Sequence, residues 1–227
     1  MSPEPTSRDP AAFEVRDCTL ISLATGHRVL TLQELRNRLA DIGEDSIFCH
    51  FWGSLLQARF EQREFNNDFA AWARHELHDH ALAERLAVLD PSELKATSEI
   101  RSALLDLLDD RIDEEPYLAR RLATRPFHFM SAQVVVFATG RILRRPRELR
   151  RTASELSAGS VFFHFVEARR RHPEALDDFS AWLGGFDGRY VELIDRLRAI
   201  DVYFGTLMEL RGQIAAAVES FFQEHPE

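Results

Sequence analysis

The sequence predicts a mainly α fold made by tandem duplication of a roughly five-helix unit. Each copy carries at most one short strand, and the copies are expected to pack with pseudo-two-fold symmetry. Three observations lead there. Ser46-Ile47-Phe48-Cys49-His50-Phe51 returns as Ser160-Val161-Phe162-Phe163-His164-Phe165, 114 positions later. Over residues 13–51 and 127–165, 11 of 39 aligned positions are identical without a gap, where unrelated segments of ordinary composition would share about two or three. Between these matches, apolar residues recur at helical spacing and are punctuated by helix-capping patterns.

In chain order, residues 1–12 are polar and Pro-rich and are expected to form a disordered tail. The first repeat unit spans 13–115, a linker spans 116–126, and the second unit spans 127–227. Val134-Val135-Val136-Phe137, ending in Ala138-Thr139-Gly140, reads as a short buried strand. The first copy, Leu20 to Ala24-Thr25-Gly26, is less β-branched and is compatible with a strand or a helix. Thr31 followed by Glu34 is a capping-box pattern that opens a helix running to about Ile42 and stopping at Gly43. In the second copy Pro146 replaces Leu32, which suits a first helical turn.

Asp45 or Ser46 is expected to cap the central helix. On its wheel Ile47, Phe51, Leu55 and Ala58 share a face, and His50 lies beyond one edge of the apolar arc. Asp68-Phe69-Ala70-Ala71-Trp72 opens the next helix, with Asp68 as its cap. Its partner Asp178-Phe179-Ser180-Ala181-Trp182 comes at an offset of 110, so four residues are lost from the intervening loop. Glu99-Ile100-Arg101 and Glu209-Leu210-Arg211 each open a long terminal helix.

Composition narrows the function classes. Of 227 residues, 45% are hydrophobic and 29% charged, as in ordinary globular proteins. A net charge of -9 opposes non-specific binding to nucleic acid or anionic membranes, although it leaves room for a local basic patch. Cys18 and Cys49 have no disulfide or metal spacing, and their counterparts are Ala132 and Phe163. The start Met1-Ser2-Pro3-Glu4-Pro5-Thr6 lacks the pattern of a secretory signal, and no apolar run reaches membrane-spanning length, so a cytoplasmic protein is expected.

The chain resembles an uncharacterised bacterial family, a domain of unknown function built as the same tandem duplication. The resemblance is carried by Ala24-Thr25-Gly26, Leu32 with Glu34-Leu35, His50, Asn67-Asp68-Phe69 with Trp72, and Ala83-Glu84-Arg85-Leu86. In the second half it is carried by Thr139-Gly140, Ser160 through Phe165, Glu167-Ala168-Arg169, and Asp178-Phe179-Ser180 with Trp182. It implies a fold relationship and brings no activity, ligand or catalytic residue. Asp177 stands where such proteins usually have asparagine.

The ligand or interface candidates are His50, His164, Asp68, Asp178, Trp72, Trp182, Glu167 and Arg169. They would frame a site at the interface of the two repeats, for an unknown protein or small molecule. A histidine at the edge of an apolar arc can reach a cleft and act as acid, base or ligand; it can equally be satisfied by a backbone group or a carboxylate. Asn67 and Trp72 could line a polar pocket with an aromatic wall, or serve as cap and core.

The most metal-like run is His75-Glu76-Leu77-His78-Asp79-His80. On one helix His75, His78 and Asp79 would share a face. With His50 and a carboxylate from Asp106, Asp109 or Asp113 it imitates the ligand order of metal-dependent phosphohydrolases, although the second half has no matching histidines. Arg141, Arg144, Arg145, Arg147, Arg150 and Arg151 form a basic cluster, to be paired with the acidic Asp106–Glu115 segment or solvated. There is no glycine-rich phosphate loop, dinucleotide fingerprint, nucleophile elbow or Cys-x-x-Cys pair. The leading expectation is therefore a non-catalytic helical binding module with no cofactor. The alternative is a metal-dependent phosphohydrolase using His50, His78 and Asp79.

Overall fold

A computed structural model describes residues 12–56, 64–92, 94, 97–172, 174–203 and 205–226. Residues 1–11, nearly all of the expected tail, and Ala58 of the central helix wheel lie outside them. The fold is mainly helical, with one two-stranded antiparallel sheet. The elements are β1 (Phe13–Val29), α1 (Leu32–Asp41), α2 (Glu44–Trp52), α3 (Asp68–His75), α4 (His80–Ala87) and α5 (Thr97–Glu114). They are followed by β2 (Phe127–Leu143), α6 (Leu149–Glu155), α7 (Ala158–Val161), α8 (Ala168–Arg171), α9 (Asp178–Leu183), α10 (Val191–Arg198) and α11 (Leu207–Glu224). Helix α7 runs into α8 through a π-helical stretch, Phe162–Glu167.

The chain divides into two compact units that are not contiguous in sequence. Unit I holds residues 19–135; unit II holds the chain up to Cys18 and resumes at Val136. Each unit therefore contains part of both strands. This differs from a division at 13–115 and 127–227: the start of β1 belongs with the C-terminal helices and the start of β2 with the N-terminal ones. The 116–126 segment holds a short 3-10 turn at Leu118–Arg120 and buries Leu118, Ala119 and Ala123.

Both strands are 17 residues long, so neither is short or helical. At their starts burial alternates, with Phe13 and Val15 inward and Phe127 and Phe129 inward, the two-residue period of a pleated strand on a core. Further along, the apolar run expected to be buried is open: Val135, Val136 and Phe137 are exposed. The Thr-Gly pairs serve strand pairing. Gly26 and Gly140 take φ of 79° and 77°, a left-handed conformation that glycine adopts without steric cost. Thr25 Oγ1 donates to the Phe129 carbonyl at 2.7 Å and accepts the His27 amide. Thr139 Oγ1 does the same with the Val15 carbonyl at 2.5 Å and the Arg141 amide.

In unit I, α1 begins as expected: Thr31 Oγ1 accepts the Glu34 amide, and Glu34 in return accepts the Leu30 amide. Its buried Leu32, Leu35 and Leu39 lie against α5. Arg36 clamps Asp109 through two hydrogen bonds of 2.8 Å, and Arg101 donates to the Leu39 and Ile42 carbonyls at the end of α1. Planar guanidinium suits both tasks. In unit II, α6 lies against α11, Arg150 grips Glu219, and Arg211 donates to the Leu156 carbonyl. The two terminal helices, α5 and α11, are 18 residues each.

Three expected caps move. Helix α2 is capped by Gly43 without a side-chain bond, not by Asp45 or Ser46. Its counterpart α7 has Ser157, whose hydroxyl accepts the Ser160 amide and donates to Ser160 Oγ. With glycine in that place, the buried Ser46 hydroxyl has no partner among the described residues. The caps of α3 and α9 are Asn67 and Asp177, one residue before the expected Asp68 and Asp178.

Candidate functional site

Helix α2 is buried from Ser46 to Trp52, so His50 does not stand at an edge facing a cleft. It is 3% exposed, and His164 is 2% exposed. Both rings are used on both sides. The Met130 amide donates to His50 Nε2 at 3.0 Å, and His50 Nδ1 meets Asp68 Oδ2 at 2.9 Å. In unit II the Arg16 amide donates to His164 Nε2 at 2.8 Å, and His164 Nδ1 meets Asp178 Oδ2 at 2.7 Å. A ring nitrogen that accepts an amide carries no proton, so the proton sits on Nδ1 and is donated to the carboxylate. Each imidazole is thereby a neutral bridge from a helix to a strand.

The physical need for this bridge follows from the sheet. A two-stranded sheet leaves an outer row of amides on each strand without ladder partners, and a buried unpaired amide is costly. The imidazole supplies the missing acceptor inside an aromatic cluster. His50 lies 4.6 Å from Phe127, 5.3 Å from Phe69 and 5.9 Å from Phe129, centroid to centroid. His164 lies 5.0 Å from Phe13 and 5.5 Å from Phe179.

The two carboxylates differ in setting. The Asp68 side chain is 41% exposed, the Asp178 side chain 14%. Asp178 also receives Arg171 Nη2 and His172 Nε2, each at 2.9 Å. Burial pushes the Asp178 carboxyl up, but hydrogen bonds from His164, His172 and Arg171 outweigh it and hold the group below the usual carboxylate range. Arg171 also donates to the Phe163 carbonyl at 2.9 Å, beside the Ala168 amide that the same carbonyl accepts in the π turn, and it lies over the Phe163 ring. Glu167 pairs with Arg171.

Asn67 is fully buried; its amide donates to the Leu86 carbonyl at 2.8 Å while its carbonyl caps α3. Asp177 cannot donate in that way when ionised. There Arg169 Nη2 lies 3.5 and 3.4 Å from the Leu197 and Ile200 carbonyls. Burial raises the Asp177 carboxyl, against hydrogen bonds from Ser180 that lower it. Trp72 is a core side chain whose Nε1 donates to the Arg125 carbonyl at 2.8 Å. Trp182 packs on Phe13 and Phe186. The candidates therefore fall into two sets, His50, Asp68 and Trp72 in unit I and His164, Glu167, Arg169, Asp178 and Trp182 in unit II.

The helix expected to align His75, His78 and Asp79 does not run that far. Helix α3 ends at His75, and His78 sits in the following turn with φ of 54°. Asp79 caps α4 through the Leu82 amide and holds Arg111 at 2.8 Å in a buried ion pair. His75 pairs with Glu64, and Asp109 is taken by Arg36. Among the described residues no group of three or more His, Cys, Asp or Glu side chains is arranged to hold a metal ion. Burial, aided by Asp17 and Glu167, pushes the Cys18 thiol up to about 12. Burial with Asp68 and Asp45 pushes the Cys49 thiol up to about 11. Neither is suited to act as a thiolate nucleophile.

Sequence reasoning missed the strand amides of Arg16 and Met130. They act through the backbone alone, so their side chains are free to differ and leave no signal. It also missed His172, which has no counterpart pattern in the other half.

Among the described residues no helix is long and apolar enough to cross a membrane. No curated protein matches the chain. Among solved structures, that of OrfY from Thermoproteus tenax is similar, with a TM-score of 0.80 and 26% identity over 92% of this chain and 95% of that one. The model of a family of unknown function, DUF5752, matches residues 10–219. The chain belongs to that family of unknown function, DUF5752.

Proposed function

We propose that the chain is a non-catalytic interaction module whose two halves descend from one ancestral unit. The observation that carries this reading is the use of both ring nitrogens of His50 and of His164 inside the protein. The residues shared by the two halves are spent on fastening strands to helices. No lone pair or exchangeable proton of either ring is left to serve a substrate or a metal. The same bridge in each unit, with Asn67 and Asp177 as matching caps, supports common descent. Against the phosphohydrolase alternative, His78 lies beyond the end of α3 and Asp79 is engaged by the Leu82 amide and Arg111.

The test uses full-length protein purified without a histidine tag. Metal analysis is expected to find no stoichiometric divalent ion, and a panel of phosphate esters is expected to stay uncleaved with added magnesium, manganese or zinc. A bound ion that is lost in His78→Ala together with hydrolysis would overturn the proposal.

A further inference from the structure

The basic cluster of unit II is only partly neutralised. Arg150 is held by Glu219, and Arg141 and Arg151 share the single carboxylate of Glu155. Glu148, the one acid within Arg141–Arg151, is turned to the Arg144 backbone amide at 3.0 Å. Arg144, Arg145 and Arg147 are exposed, and none has a carboxylate within ion-pair distance among the described residues. Of the acids expected to face them, three are engaged elsewhere: Asp109 with Arg36, Glu114 with Arg85 and Arg111, and Glu115 with Arg111.

The fold does not require these charges. Unit I builds the same strand end and helix start with Leu30, Thr31 and Gln33 at the corresponding places, and uses Glu34 on the Leu30 amide as unit II uses Glu148. Two residues before Arg144, Ile142 is 51% exposed. Ile142 and Arg144 flank the buried Leu143 and are both exposed, which brings an apolar side chain close in sequence to a guanidinium with no carboxylate partner among the described residues.

We propose that Arg144, Arg145, Arg147 and Ile142 form a docking surface for an acidic segment of a partner protein that also carries an apolar side chain. The proposal rests on the interaction-module reading and names the partner's chemistry. Charge complementarity selects an anion, and guanidinium pairs carboxylates bidentately. The chain's net charge of -9 selects among anions. A long nucleic acid or an anionic bilayer extends beyond the cluster and meets the acidic remainder of the surface, whereas a short segment lies within about 8 Å of the arginines, one Debye length in physiological salt.

The experiment is fluorescence anisotropy with the full chain and a labelled oligo-glutamate peptide containing one leucine. The comparison probes are a duplex DNA and phosphatidylserine vesicles. Wild type is expected to bind the peptide in a salt-dependent way, more tightly than DNA or vesicles. Combined replacement Arg144→Ala, Arg145→Ala and Arg147→Ala is expected to weaken it at least about tenfold, with an unchanged thermal midpoint. The three-lysine variant is expected to keep part of the affinity, and Arg28→Ala with Arg38→Ala in unit I all of it. No peptide binding at low salt, equal binding by the three-alanine variant, or tighter binding of DNA or vesicles would each overturn the proposal. Loss of peptide binding without hydrolase activity would sink this inference alone; hydrolysis would sink the module reading whatever the peptide does.

Discussion

Replacing His50 with leucine tests the claim that the imidazole is a strand fastener. Leucine keeps apolar bulk among Phe69, Phe127 and Phe129 but removes the acceptor of the Met130 amide. A buried donor left unpaired costs about 1–3 kcal/mol. The Asp68 side chain is 41% exposed, so water can take the place of the lost imidazole donor at little cost. The sum is about 1–3 kcal/mol. Glutamine can place an oxygen near the lost Nε2, so His50→Gln should cost about 1 kcal/mol. His164→Leu should cost about 1 kcal/mol more than His50→Leu, because Asp178 at 14% exposure loses a donor it cannot replace with water. Urea denaturation gives the stabilities, and hydrogen exchange resolves the cause. The Met130 amide should lose protection in His50→Leu and keep most of it in His50→Gln; the Arg16 amide should respond to His164→Leu. Equal stability of leucine and glutamine variants, with unchanged protection of these amides, would refute the reasoning.

The adjacent carboxylates Asp177 and Asp178 should act in opposite directions with pH. Asp177 lies above its unfolded value, so its ionisation costs stability as pH rises past that value, and the cost is absent below it; Asp177→Asn should gain about 1 kcal/mol near neutral pH and nothing in acid. Asp178 lies below its unfolded value, so its contribution is full above that value and fades as pH falls through the folded one; the loss in Asp178→Asn should shrink over that window in pH-dependent denaturation. In unit I the buried Arg111–Asp79 pair should make Arg111→Ala costly by about 3–5 kcal/mol, because Asp79 is left buried without its cation, as thermal unfolding would report.

Much of the helical framework could be read from local chemistry. The Thr31 and Glu34 capping pattern, the terminal helices opened near Glu99 and Glu209, and the mainly α class depend on residues a few positions apart, and those interactions survive in any tertiary setting. The caps at Asn67 and Asp177 were missed by one residue because Asp68 and Asp178 are equally good capping residues by type; a distant histidine in each unit claims them instead. The shared helix face expected of His75, His78 and Asp79 could not be read locally either, since α3 ends at His75 and His78 takes a positive φ beyond it.

What the sequence determined by itself was the mainly helical framework. Only the tertiary structure decided which strand serves which helices. Phe13 packs on His164 and Phe127 on His50, although in sequence each Phe opens the half containing the other histidine. Strand length is the reason. β1 runs unbroken over 17 residues from Phe13 to Val29, and the two-residue connection to α1 ties its far end to unit I, while its start up to Cys18 belongs to unit II. Because the two halves offer nearly the same residues to either strand, no local pattern distinguishes self-pairing from exchange.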